Sequence, residues 1–149
     1  MRFRSSAQAL MWFALALPLF VSLAGLAIDG GVLLASRRQL QSVADGAARA
    51  GATRLDLDRL RSSGGAEVQL DATLARRETW SYLDERATRE LDWQGVPSMS
   101  VDVDVRRVHV VIHGKLRTAF LRVVHIDSVP VMASAFADVE YGIRAGAGR

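Results

Sequence analysis

His109 and His113 stand four positions apart, a spacing that on a helix turns two imidazoles to one side and offers them to a single zinc ion. Their neighbours oppose that arrangement. Val108, Val110, Val111 and Ile112 are β-branched, the composition of a strand. Residues four apart on a strand share a face but stand about 13 Å from one another. Zinc holds its nitrogen ligands at about 2 Å, so one ion does not bridge them. His125 is expected near the end of a short helix, where a cation suits the helix dipole. Asp102 and Asp104 share a strand face about 7 Å apart, yet calcium needs six or more oxygens and no nearby run supplies them. The two aspartates read as a solvated face that discourages edge-to-edge pairing.

Other chemistry is equally poorly provided for. The 149-residue chain has no cysteine, which removes disulfides, thiolate metal sites and a thiol nucleophile. No G-x-S-x-G, P-loop or G-x-G-x-x-G occurs. Ser62-Ser63-Gly64-Gly65 reads as a linker, not a phosphate cradle, and Trp80, Tyr82 and Trp93 as packing residues. The sequence therefore predicts no catalytic residue, cofactor, metal or small-molecule substrate. A membrane-tethered hydrolase would rest on the histidines alone.

The pI of 10.1 suggests a nucleic-acid partner, but the charge is not gathered for one. Setting aside Arg2 and Arg4, 17 of the 19 basic side chains face 16 acidic ones, a formal +1. Signs alternate along the chain, and no arginine stripe is interleaved with aromatics. No nucleic acid is expected.

The elements that must position these residues begin with an apolar run. Ser5 to Ile28 is 24 residues without a charge. A helix needs about 20 apolar residues to cross roughly 30 Å of hydrocarbon, and Ala9 to Ile28 supplies them. A cleavable signal peptide has a shorter core of about 7–15 residues, which opposes cleavage near Gly25-Leu26-Ala27. Residues 1–8 then form a cytoplasmic tail and the C-terminal part is exported. Pro18 removes the bond to the Ala14 carbonyl and is expected to kink the span. Ser22, Gly25 and Asp29 follow at spacings of three and four, a small face suited to close helix packing. Asp29, followed by Gly30-Gly31, is expected to cap the next helix through its carboxylate.

Beyond the span, residues 29–61 read as an extended Ala-rich helix. Leu33, Leu40, Ala44, Ala47 and Gly51 form its narrow apolar face, suited to packing on neighbours. Residues 62–66 form a linker, 67–143 a periplasmic domain and 144–149 a disordered tail. Within the domain, Glu67 to Trp93 reads as a helix with Trp80, Leu83, Ala87 and Leu91 on one face. Val101, Val103 and Val105 alternate with Asp102 and Asp104 as one strand. Val108, Val110 and Ile112 form a second that ends at Gly114, with Arg106-Arg107 as the reversal. Lys115 to Ile126 fits a short helix presenting Leu116, Phe120 and Val123 or Val124. Val129 to Tyr141 alternates again, with Val129, Val131, Ala133, Ala135, Ala137 and Val139 on one face. The fold class is α+β: an N-terminal transmembrane helix extended by an Ala-rich helix, then a small helix-plus-antiparallel-sheet domain.

Three pieces occur in a fixed order: Phe13-Ala14-Leu15-Ala16-Leu17-Pro18, then Ala24-Gly25-Leu26-Ala27-Ile28-Asp29-Gly30-Gly31, then Arg38-Gln39-Leu40-Gln41-Ser42-Val43-Ala44-Asp45-Gly46-Ala47-Ala48-Arg49-Ala50-Gly51-Ala52. Over about 45 residues they resemble the N-terminal region of TadE/TadG-like proteins of the tight-adherence (Flp) pilus machinery of bacteria. In the TadE-type pseudopilins of that family a Gly precedes the prepilin-peptidase cut and a Glu follows at the fifth position after it. Here Ala7 and Trp12 occupy those places, which moves the resemblance toward the uncleaved, TadG-like branch. The metal-binding module of long TadG-like proteins has no counterpart, since no D-x-S-x-S is present.

The resemblance implies a structural or assembly component of a Tad pilus or related secretion system, single-pass in the bacterial inner membrane. Its partners would be the lipid bilayer and other minor pilins or assembly-platform membrane proteins. Helix packing would run through Ser22, Gly25, Asp29, Leu40, Ala44, Ala47 and Gly51. The rival reading is a membrane-anchored periplasmic adaptor or binding protein unrelated to pili.

Overall fold

The computed structural model describes residues 3–139 apart from 88 and 90. One helix dominates it. Helix α1, Phe3–Ala52, runs unbroken for 50 residues, about 75 Å at 1.5 Å per residue. Pro18 lies inside it without ending it, and the Ser22 hydroxyl donates to the Pro18 carbonyl at 2.8 Å. Asp29-Gly30-Gly31 does not open a second helix; the expected boundary is absent and the rod passes straight through.

The two halves of α1 meet different surroundings. Every large apolar side chain from Leu10 to Ile28 is at least half exposed. From Leu40 onward the helix turns a helical-period row of Leu40, Val43, Ala44, Ala47, Ala48 and Gly51 into the domain core. Short helix α2, Leu57–Ser62, follows, capped by the Asp56 carboxylate at the Arg59 amide, 3.0 Å. Gly64 and Gly65, both at positive φ, then reverse the chain.

Helix α3 spans Ala72–Arg86, shorter at both ends than its periodicity suggests. Asp71 fixes the start by accepting the Thr73 and Leu74 amides at 3.0 Å. Beyond Arg86, the chain folds back so that the Trp93 indole donates to the Ala87 carbonyl at 2.7 Å. Leu83, Ala87 and Leu91 are buried as expected, but Trp80 is exposed and Ala75 and Thr79 take its place. The reason is the close approach of α1. A Cβ at Gly51 would meet the Ala75 carbonyl at 3.1 Å and run into the Thr79 hydroxyl, so only small side chains fit that seam.

Three antiparallel strands complete the domain in the order β1 (Ser98–Val103), β2 (Arg107–Arg117), β3 (Ser128–Asp138). Strand β2 is longer than the sequence suggests. It continues past Gly114, and the segment from Lys115 that was expected to be helical pairs with β3 as far as Arg117–Ser128. Gly114 does not end the strand; it makes room for Trp93, whose ring carbon Cε3 would lie 2.5 Å from an added Cβ. The reversal between β1 and β2 falls at Asp104–Arg106, where the Asp104 carboxylate accepts the Val105 amide at 2.8 Å. Asp104 is therefore a turn residue. On the inner sheet face Val108, Val110, Ile112, Leu116, Val131, Ala133 and Ala135 pack on α1 and α3. The fold is α+β, with helices on one side of the sheet. The Gln41 amide donates to the Ser134 carbonyl at 2.9 Å and ties α1 to the edge strand β3. Residues 144–149, expected to be disordered, lie outside the described residues.

Candidate functional site

Where the apolar half of α1 ends, the chain makes its most unusual contact. Between β2 and β3 the backbone passes through a four-residue 3-10 turn, Leu121–Val124. The Asp29 carboxylate accepts the amides of Ala119 at 3.1 Å, Phe120 at 2.9 Å and Leu121 at 2.6 Å. Those N–H groups open the turn and have no carbonyl of their own to reach. Asp29 does cap free amide donors, but of this turn and not of a helix that follows it. At 3% exposure the carboxylate is withdrawn from water, and all its partners belong to the chain.

One turn of α1 earlier, Phe120 packs closely on Gly25. A Cβ there would sit 2.9 Å from Phe120 Cβ and 3.1 Å from its ring carbons. Gly25 is buried for that reason, and Ser22 and Leu121 line the same cleft of about 320 Å³. Of the Ser22–Gly25–Asp29 stripe, read as a place for another helix, Gly25 and Asp29 are covered by the chain's own 119–121 segment, while Ser22 stays exposed. Leu40, Ala44 and Ala47 are fully buried and Gly51 is enclosed by α3 and Val108. The packing these four provide is within the chain.

Sequence reasoning missed Phe120 and Leu121 as partners of the stripe. The one signal in the sequence was the apolar character of Phe120, Val123 and Ile126; in the structure they lie exposed, with Phe120 and Val123 beside the apolar half of α1.

The titratable groups are dispersed. His109 and His113 lie on the outer sheet face, with His109 Nε2 3.0 Å from the Ser134 hydroxyl. His125 closes the 3-10 turn with a left-handed backbone, φ 64°. No metal-sized cluster of His, Asp or Glu occurs among the described residues. Asp138 receives both arms of the Arg107 guanidinium, at 2.6 and 2.9 Å. That donation holds the Asp138 carboxyl below the ordinary carboxylate value and holds Arg107 above its own. The pair clamps one end of β2 to β3 and lies against the Phe136 ring, 5.0 Å from the guanidinium.

Residues 7–54 match the family model described as "Putative Flp pilus-assembly TadE/G-like". Over that third of its length the chain is similar to the TadE/TadG-like family. The match starts in the exposed apolar half of α1 and ends just past Ala52, where the buried half stops. No curated protein and no solved structure matches the chain. One helix among the described residues is long and apolar enough to cross a membrane. The family match supports a role in pilus assembly and points to a structural one.

Proposed function

We propose that the protein is a single-pass subunit of the Tad pilus-assembly machinery, anchored through Ala9–Ile28 with its α+β domain on the far side of the inner membrane. The observation that carries this is the division of one continuous helix. Its first half offers lipid or another helix a rod of exposed Leu, Phe, Trp and Val side chains. Its second half is the central element of the exported domain. Such a helix transmits position: a partner that shifts or tilts the rod moves the domain with it, because no hinge separates them. The cytoplasmic N-terminus and periplasmic domain follow the placement of Arg2 and Arg4 before the span. Minor pilins and assembly-platform proteins are the proposed partners, engaged through the exposed helix face between Leu10 and Ile28. The Leu40–Gly51 face remains with the chain's own domain.

The test is fractionation and photocrosslinking in a bacterium that assembles Tad pili. The full-length chain should pellet with inner membranes after alkaline carbonate washing, and external protease should reach its domain in spheroplasts. A photoreactive residue at Leu17 should capture Tad components, and deletion of the gene should reduce piliation. Release by carbonate would sink the anchor. Normal piliation with the anchor intact would favour the unrelated-adaptor reading.

A further inference from the structure

Residues 119–126 carry more apolar surface than a water-facing loop needs. Val123 is 80% exposed, Phe120 46% and Ile126 44%. All three lie on the turn that Asp29 and Gly25 hold against α1. Gly25 lies four residues before Asp29, about 6 Å along the helix axis, and Leu19, which lines the same cleft, about 15 Å. If Ile28 marks the edge of the hydrocarbon, the turn lies below that edge, beside the last turns of the span.

The backbone of this turn is prepared for a place with little water. Lipid tolerates irregular backbone only where its polar groups are satisfied from within the protein. The amides of Ala119, Phe120 and Leu121 go to Asp29. Those of Val123, His125 and Ile126 go to the carbonyls of Phe120, Arg122 and Leu121 at 3.0 Å. The Thr118 hydroxyl donates to the Ile126 carbonyl and closes the loop at its neck. Arg122 and His125, both exposed, alternate with the apolar residues, and Arg122 lies 4.0 Å from Asp127. A long basic side chain such as Arg122 among apolar ones suits the headgroup boundary, where the stem lies in hydrocarbon and the charge reaches phosphate.

We propose that residues 119–126 form a second membrane contact, a monotopic turn seated in the headgroup–acyl boundary of the leaflet on the domain's side. This inference rests on the anchor reading above, because the turn's neighbour is the same apolar rod. Asp29 is then the fixture that joins the two contacts. It spends its charge on three amides and sets the depth of the turn relative to the span. The domain stands on two points at the bilayer surface, which fixes its rotation about the helix axis as well as its height. The occupant of the surface around Val123 is lipid, not a protein groove partner: continuity with the exposed face of Leu19 to Leu26 leaves no boundary between the two apolar surfaces.

The absence of native cysteine makes depth measurement direct. Full-length Val123→Cys, Leu17→Cys and Asp58→Cys are each labelled with an environment-sensitive fluorophore and reconstituted in phosphatidylethanolamine–phosphatidylglycerol vesicles. Val123 and Asp58 are exposed, with Asp58 standing on α2 far from the span, so neither change touches the core. Lipids spin-labelled near the headgroup should quench the Val123→Cys label, and aqueous iodide should quench it about fivefold less than the Asp58→Cys label, as for a segment about 5–10 Å deep. The Leu17→Cys label should respond to lipids spin-labelled deep in the chain. A Val123→Cys label as open to iodide as Asp58→Cys, with Leu17→Cys still lipid-quenched, would overturn the second contact and leave the anchor standing. A Leu17→Cys label in water would overturn both.

Discussion

Asp29 and Leu121 are 92 positions apart, yet the carboxylate of one accepts the amide of the other at 2.6 Å. This single group joins the end of the apolar rod to the β2–β3 connection. A charge placed at the edge of a membrane span ordinarily turns to water or headgroups. Here it is folded inward and consumed by backbone donors, so its role is to fix geometry between two elements.

Asp29→Ala should free the connection without melting the domain. The inner sheet face and the α1–α3 seam do not include Asp29, whereas three amides lose their acceptor at once. Hydrogen exchange should quicken by about tenfold or more at Ala119, Phe120 and Leu121, with β1–β3 protection preserved. Asp29→Asn, which keeps one acceptor oxygen, should fall between the two. Exchange spread evenly over the sheet in Asp29→Ala would contradict the local role.

Glycines of α1 should separate into two classes. Gly51→Ala forces a methyl against Thr79, the Ala75 carbonyl and Val108 Cγ1 at 3.3 Å, and overpacking of this kind costs about 1–3 kcal/mol. Gly30→Ala meets nothing within 4 Å and restores helix propensity, a gain of about 0.5–1 kcal/mol. Urea titration of the detergent-solubilised chain should move in opposite directions for the two. A Gly51→Ala chain as stable as the parent would show that the α1–α3 seam is looser than its contacts.

Acid should loosen the far end of β2 and β3 through Asp138. Arg107 holds the Asp138 carboxyl below its ordinary value, so the pair contributes stability above the unfolded carboxylate pKa of about 3.9. The contribution is lost as pH falls through the lower, folded value. Both side chains are about half exposed, which keeps the effect small. Thermal midpoints measured from pH 7 down to pH 2 should drop less in Asp138→Asn than in the parent. Identical pH profiles would remove Arg107–Asp138 from the account.

Local periodicity made much of this architecture legible. Val131, Ala133 and Ala135 alternate and are buried; Leu40, Ala44 and Ala47 repeat at helical spacing and are buried. What escaped depends on contacts between distant positions. Gly114 looks like the end of a strand until Trp93, held by the Ala87 carbonyl, is seen to need its empty side. Trp80 looks like core until Gly51 brings α1 so close to α3 that Thr79 must replace it. Asp29-Gly30-Gly31 looks like a helix boundary because a carboxylate before two glycines is a good cap. The amides it caps arrive from residue 119 onward, and no window of sequence contains both.

The Ala-rich face gives the clearest division between fold and assembly. Ala47 is fully enclosed by the chain's own domain, so Ala47→Glu places a carboxylate where no donor awaits it. The cost should exceed about 3 kcal/mol, enough to remove most of the stability of a small domain. Partner crosslinks would then be lost through unfolding, and limited proteolysis should show the domain digested while the span stays in the membrane pellet. Leu17→Ala trims a half-exposed side chain of the proposed anchor, so it should weaken crosslinking with the domain still protease-resistant. A folded, protease-resistant Ala47→Glu chain would mean that this face opens in the assembly, and that the buried row is exchanged between subunits.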